Sequence, residues 1–118
     1  MGLQIFSRKQ FPRRLDEQIS FRKGHIRVGK VLCQYLGSEV LLAYNPISRH
    51  LAFITPEPEE REFAYPMDRR RRIHCVRALR EFGLAHVRGV VRASECSSGR
   101  VDFVIPKVML KKERNDDI

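Results

Sequence analysis

The apolar residues of this chain alternate with a period of two over short runs, and hold a helical period for no more than two turns at a time. That restricts the fold strongly. Without a sustained helical stripe the core cannot be built from helices, and alternation asks for half-buried strands. Residues 18–22 alternate with Ile19 and Phe21 on one face, residues 25–28 with Ile26 and Val28, and residues 72–75 with Ile73 and Cys75. Residues 40–44, 50–55, 86–93 and 100–105 also read as strands. Helical spacing occurs only at 31, 32, 35 and 36 and again at 76, 78, 79 and 82, with Gly37 and Gly83 placed as stops. Lys23-Gly24 supplies one turn, and residues 45–49 and 94–99 supply the turns of two hairpins. The expectation is a mainly β, α+β fold.

The same order of strand, short helix, glycine and hairpin occurs twice. Residues 24–56 and 71–106 match in order and nearly in length. Ile26 aligns with Ile73, Lys30 with Arg77, Leu32 with Leu79, and Ile54-Thr55-Pro56 with Val104-Ile105-Pro106. The chain therefore divides into a basic arm at 1–17, a first unit at 18–56, an acidic linker at 57–61, a second unit at 62–106 and a tail at 107–118. The two units are expected to be pseudo-symmetric and to share one core. Short strands are expected at 3–6 and at 62–65. The tail at 107–118, which from Lys111 onward mixes both charges without periodicity, is expected to be disordered.

With 118 residues, 42% of them apolar, the chain is long enough for one such core. It has no apolar run long enough to span a membrane, and no apolar stretch follows the basic residues near its start, so neither a membrane partner nor a signal peptide is expected. Cys33, Cys75 and Cys96 are scattered and odd in number, which suits a reducing, cytoplasmic compartment rather than a disulfide framework.

The net charge is +9, and its distribution says more than its total. Residues 1–30 carry +6 and residues 69–80 another +6, whereas residues 31–68 carry −4 and residues 81–118 only +1. Two concentrated basic segments are the footprint of a polyanionic partner. If Ile26 and Val28 point inward, His25 and Arg27 point outward. Arg22 and Lys23 flank the preceding turn, and Lys30 follows the strand. In the second unit His74 points outward, Arg69, Arg70, Arg71 and Arg72 lie at the strand's start, and Arg77 and Arg80 lie one turn apart on the helix. Both clusters occupy the same place in the repeat, so they are expected to act together on one face. Arg8, Lys9, Arg13 and Arg14 are candidate contacts from the arm. Arginine forks bind phosphate and reach guanine edges. Arg27 and Arg77, carried on a strand and a helix, are the candidate base readers.

The run Gly24-His25-Ile26-Arg27-Val28-Gly29, the pair Leu36-Gly37 and the hairpin at 40–55 resemble the swapped-hairpin β-barrel family of the AbrB, SpoVT, MazE and MraZ type. Two units in one polypeptide are similar to the MraZ arrangement. The resemblance implies a barrel built from two strand–short helix–hairpin units, and a duplex-DNA-binding transcription regulator whose basic loops and strand ends meet DNA, associated with the nucleoid. The second unit departs from the pattern, with Arg71-Arg72 at the turn and Val76 before the helix.

Other chemistry finds little support. The four histidines and three cysteines lack metal-ligand spacing, no glycine-rich phosphate loop is present, and the serines at 94, 97 and 98 sit in a turn without a nucleophile elbow. Tyr35, Tyr44, Phe53, Phe82 and Phe103 sit at core-type positions rather than interleaved with the basic residues. No cofactor, metal or enzymatic activity is expected. An RNA-binding or ribosome-associated protein and an antitoxin-like protein-interaction module stay open beside duplex DNA, as does a homodimer.

Overall fold

The computed structural model describes residues 17–111. Strands β1 (Gln18–Arg22) and β2 (His25–Val28) lead to a 3-10 helix at Leu32–Tyr35, then β3 (Glu39–Asn45) and β4 (His50–Ile54). A second 3-10 helix, Pro58–Phe63, precedes β5 (Tyr65–Pro66) and β6 (Arg72–Ile73). Helix α1 (Val76–Glu81), strands β7 (Gly89–Arg92), β8 (Glu95–Ser97) and β9 (Arg100–Val104) and helix α2 (Lys107–Leu110) complete the order. The fold is mainly β, of the α+β class. Its strands form two antiparallel sheets, β6-β2-β1-β7 and β5-β3-β4-β9-β8. An isolated bridge between Met67 and Ile73 links the β5 end of one to the β6 edge of the other. Two sheets are what these pairings draw, and a closed swapped-hairpin barrel is a finer statement than they make.

Alternation places the core. Ile19, Phe21, Ile26, Val28, Ile73 and Val91 line the inner face of the four-stranded sheet, and Leu51, Phe53, Val101 and Phe103 face them from the other sheet. The Phe103 ring meets Phe21 at 6.0 Å and Phe53 at 5.2 Å between centroids, so residues from both halves pack in one cluster. Leu79 of α1 and Leu32 of the first 3-10 helix cap it. Gly24 turns the β1–β2 hairpin at φ +80° and Gly83 ends α1 at φ +76°, conformations that a Cβ disfavours. Gly37 does not act in the same way. Leu36 leaves the 3-10 helix in an extended conformation, and the Gly37 N–H donates to Thr55 Oγ1 at 3.4 Å.

The second unit differs from the expected hairpin. The run at 86–93 is a strand only over Gly89–Arg92, and it pairs with β1, not with β9. The segment 94–99, expected to be a turn, contains β8, which forms the tight hairpin with β9 through Cys96↔Val101. The acidic linker is also ordered: Glu57 and Glu60 form a reciprocal capping box, and Arg61 reaches Glu39 at 2.8 Å. The strand expected at 62–65 therefore starts later, at Tyr65, because the helical turn runs through Phe63. The start of the tail, expected to be disordered, instead forms a helical turn at Lys107–Leu110, because Met109 and Leu110 pack against the core, while residues 3–6 and 112–118 lie outside the described residues.

The register relates the halves closely. Ile26 pairs with Ile73, and Ala52 pairs with Asp102, at two seams where equivalent segments of the halves run antiparallel. The Thr55 N–H donates to Gly99 O at 2.8 Å, and the Ile105 N–H donates to Arg49 O at 2.9 Å. Those bonds exchange partners between the hairpin ends that the sequence aligned. Backbone torsions repeat where side chains do not. Arg49 (φ 60°) takes the place of Gly99 (φ 79°), and Arg71 (φ 61°) takes the place of Gly24 (φ 80°). Each arginine repeats one further act, its Nε donating to a carbonyl of the other half: Arg49 to Ile105 at 3.0 Å, Arg71 to Val28 at 3.2 Å. These are the relations that a twofold axis through both seams would produce.

Candidate nucleic-acid interface

With its inner face filled by apolar residues, the four-stranded sheet turns its alternate positions outward. Directly opposed residues of antiparallel strands share a face. Across the sheet, Arg72 lies opposite Arg27, Arg27 opposite Ser20, and Ser20 opposite Val90. A second row holds His74, His25 and Arg22. Arg22 pairs with His25, and the His25 and His74 rings approach to 5.5 Å between centroids. Gln18 and Arg92 form a third pair at the far edge, where Arg92 reaches Glu17 at 3.4 Å.

Two loops extend this face at opposite ends of the β2–β6 seam. The β1–β2 turn carries exposed Arg22 and Lys23. The loop before β6 carries exposed Arg69 and Arg70, and it abuts the end of β2, where the Val28 N–H donates to Arg71 O at 2.9 Å. Lys30, exposed, follows two residues beyond Val28.

Asp68 organises the second loop. Its Oδ1 accepts the N–H groups of Arg70 and Arg72, each at 2.9 Å, and its Oδ2 lies 2.8 Å from Arg72 Nε and 3.0 Å from His74 Nε2. These donors, the Arg72 N–H foremost, hold the carboxyl far below the usual carboxylate range. Asp68 is not among the candidates that the charge pattern of the sequence singled out. An Asp followed by backbone donors two and four residues on is a turn signal, and that was the available clue.

The basic residues thus differ in availability. Among the described residues, Arg72 is ion-paired with Asp68, whereas Arg22, Lys23, Arg27, Lys30, Arg69 and Arg70 have no ion pair. Arg71 is only partly exposed and spends its Nε on the Val28 carbonyl. Arg77 and Arg80 are exposed on α1. Arg77 also lines an open cavity of about 450 Å³ with Leu41, Phe63, Tyr65 and Phe82, between α1 and the β3–β5 edge. The structure therefore gathers His25, Arg27, Arg72 and His74 on one seam, and sets Arg77 beside a different feature. Arg8, Lys9, Arg13 and Arg14 lie outside the described residues.

The second sheet carries a different cluster at its own seam. Asp102 is buried, and Arg100 Nε donates to both its oxygens at 3.0 and 2.9 Å, while His50 Nε2 lies 2.6 Å from Oδ1. The Arg100 bonds hold the Asp102 carboxyl below its ordinary value against the opposing effect of burial, with His50 assisting. Charge here is compensated, in contrast to the β2–β6 seam. Among the described residues no group of three His, Cys, Asp or Glu side chains gathers as a metal site, and no helix is long and apolar enough to cross a membrane.

No family model, no curated protein and no solved structure matches this chain.

Proposed function

We propose that the outer face of the four-stranded sheet, with the loops at 22–24 and 69–71, binds the phosphate backbone of duplex DNA, and that the chain acts as a DNA-binding transcription regulator. The carrying observation is the directly opposed, outward Arg27 and Arg72 at the β6 edge of this sheet, where Asp68 is the one carboxylate ion-paired to them among the described residues. Like charges directly opposite on a sheet destabilise it, so their pairing is better explained by an anionic partner than by stability. Clustered arginine and lysine release counterions from a duplex, and arginine forks hold phosphate oxygens in a fixed geometry.

The composition of the face favours a duplex over single-stranded RNA. Sheets that read single strands stack bases on aromatic rings. Here Phe21 faces the core, and the rings on the outer face are two histidines already packed against each other. A reading as a protein-interaction module has one observation in its favour, the open cavity beside Phe63, a side chain that is 68% exposed.

The test is fluorescence anisotropy with a random duplex pool, a single-stranded DNA pool and a structured RNA at matched salt. Duplex preference with a steep salt dependence supports the reading. Equal or tighter RNA binding would transfer it to RNA, and affinity that ignores salt would remove nucleic acid altogether.

A further inference from the structure

His25 and His74 meet across the β2–β6 seam with ring centroids 5.5 Å apart and planes tilted by 46°. The charged groups facing them come from every neighbouring element. Arg22 lies opposite His25 on β1, Arg27 shares the outer face of β2, and Arg72 shares that of β6. Among the described residues the one carboxylate in contact with the pair is Asp68, 3.0 Å from His74 Nε2 and already engaged by Arg72 and two backbone N–H groups. Two imidazoles thus sit in contact within a ring of guanidinium groups.

That arrangement disfavours the protonated form of His25. The pKa of His25 is lowered, by burial first and then by His74, Arg72 and Arg22, while a backbone hydrogen bond at Lys23 acts in the other direction. A bound phosphate would reverse the electrostatic part, because an anion beside an imidazole favours its charged form. A protonated ring also donates from both nitrogens, which suits a phosphate with several acceptor oxygens.

We propose that His25 and His74, flanked by Arg27 and Arg72, form a phosphate-binding centre that takes up protons as it fills, so that duplex binding tightens as pH falls. The duplex part rests on the function proposed above; the centre itself would accept phosphate from a backbone phosphodiester or from free inorganic phosphate. Binding raises the ring pKa, so the gain in affinity grows as pH falls through the bound-state value and levels off below the free-state value.

Two arms test it on the full chain. The first follows the histidine ring signals by NMR through a pH titration with and without inorganic phosphate. The rings of His25 and His74 should titrate about one unit higher with phosphate, while His50 and His86 stay in place. The second measures duplex anisotropy at fixed ionic strength from about pH 8 to about pH 5.5, where histidine charge changes. Affinity should rise by up to about a hundredfold, a factor of ten for each ring shifted by one unit, and the H25Q/H74Q double variant should lose that rise while keeping its circular dichroism spectrum. Rings that ignore phosphate, or a double variant with the same pH dependence, would overturn the centre. A chain that binds no duplex at any pH, but whose two rings still respond to phosphate, would support the centre and defeat the duplex reading instead.

Discussion

Arg27 and Arg72 face each other directly across the antiparallel β2–β6 seam, outward, with Asp68 Oδ2 drawn to Arg72 at 2.8 Å. One member of the pair is neutralised and the other is not. That asymmetry makes Arg27 the more available cation and sets up the first expectations.

Duplex binding should weaken linearly on a log–log plot of affinity against salt. The slope is expected to be roughly −0.9 per phosphate contacted, with on the order of four to eight contacts. Arg27→Ala should reduce that slope by about one contact. If Arg27 also reads a guanine edge, the change should cost roughly 1–3 kcal/mol and relax preference at one position. A slope unchanged by Arg27→Ala would place the contacts elsewhere.

Asp68 separates electrostatics from loop structure. Asp68→Asn keeps an oxygen for the N–H groups of Arg70 and Arg72 and removes the charge beside Arg72 and His74. It should tighten duplex binding severalfold while giving up the stability that the charged carboxylate contributes. Asp68→Ala removes the acceptor as well and should lower stability further than Asp68→Asn does. Urea melts and anisotropy on the two variants check this, and weaker binding by a folded Asp68→Asn would contradict it.

Arg49 and Arg71 hold positive φ that a Cβ resists, at a cost of roughly 1–2 kcal/mol each, and each returns a hydrogen bond worth about 1 kcal/mol to the opposite half. Replacement by glycine relieves the torsion and loses the bond, so the net change should be small. Replacement by alanine keeps the strain and loses the bond. Arg49→Ala should therefore be less stable than Arg49→Gly, by about 1 kcal/mol. Thermal melts of the pair decide it, and equal stability would show that the torsion carries no penalty here.

Stability should fall on acidification below the ordinary carboxylate range. The Asp102 and Asp68 carboxyls are both held low in the fold, by Arg100 and by the Arg72 N–H respectively. A depressed folded-state pKa gives stability that is complete above the unfolded value, about 3.9, and is lost as pH falls through the folded value. Urea midpoints measured from about pH 6 downward should drop below about pH 4, and Asp102→Asn should flatten that drop while lowering stability at neutral pH. A profile unchanged by Asp102→Asn would remove Asp102 from the account.

Local geometry made much of this legible in the sequence. Alternation alone turned Ile26, Val28, Ile73 and Cys75 inward and His25, Arg27 and His74 outward, because successive side chains on a strand point to opposite faces whatever lies beside it. The short helices and the Gly24 and Gly83 turns followed from spacing and from the freedom of glycine at positive φ. Strand partners did not. The alternation of 89–92 is the same whether it pairs with β9, as expected, or with β1, as it does, since period two records a face and not a neighbour. Only the tertiary structure set Arg27 opposite Arg72 and His25 against His74, bent Arg49 and Arg71 into glycine-like torsions, and brought His50 to Asp102. Each of these joins residues distant in sequence or imposes a conformation that the residue does not itself prefer, and so depends on how the two halves pack.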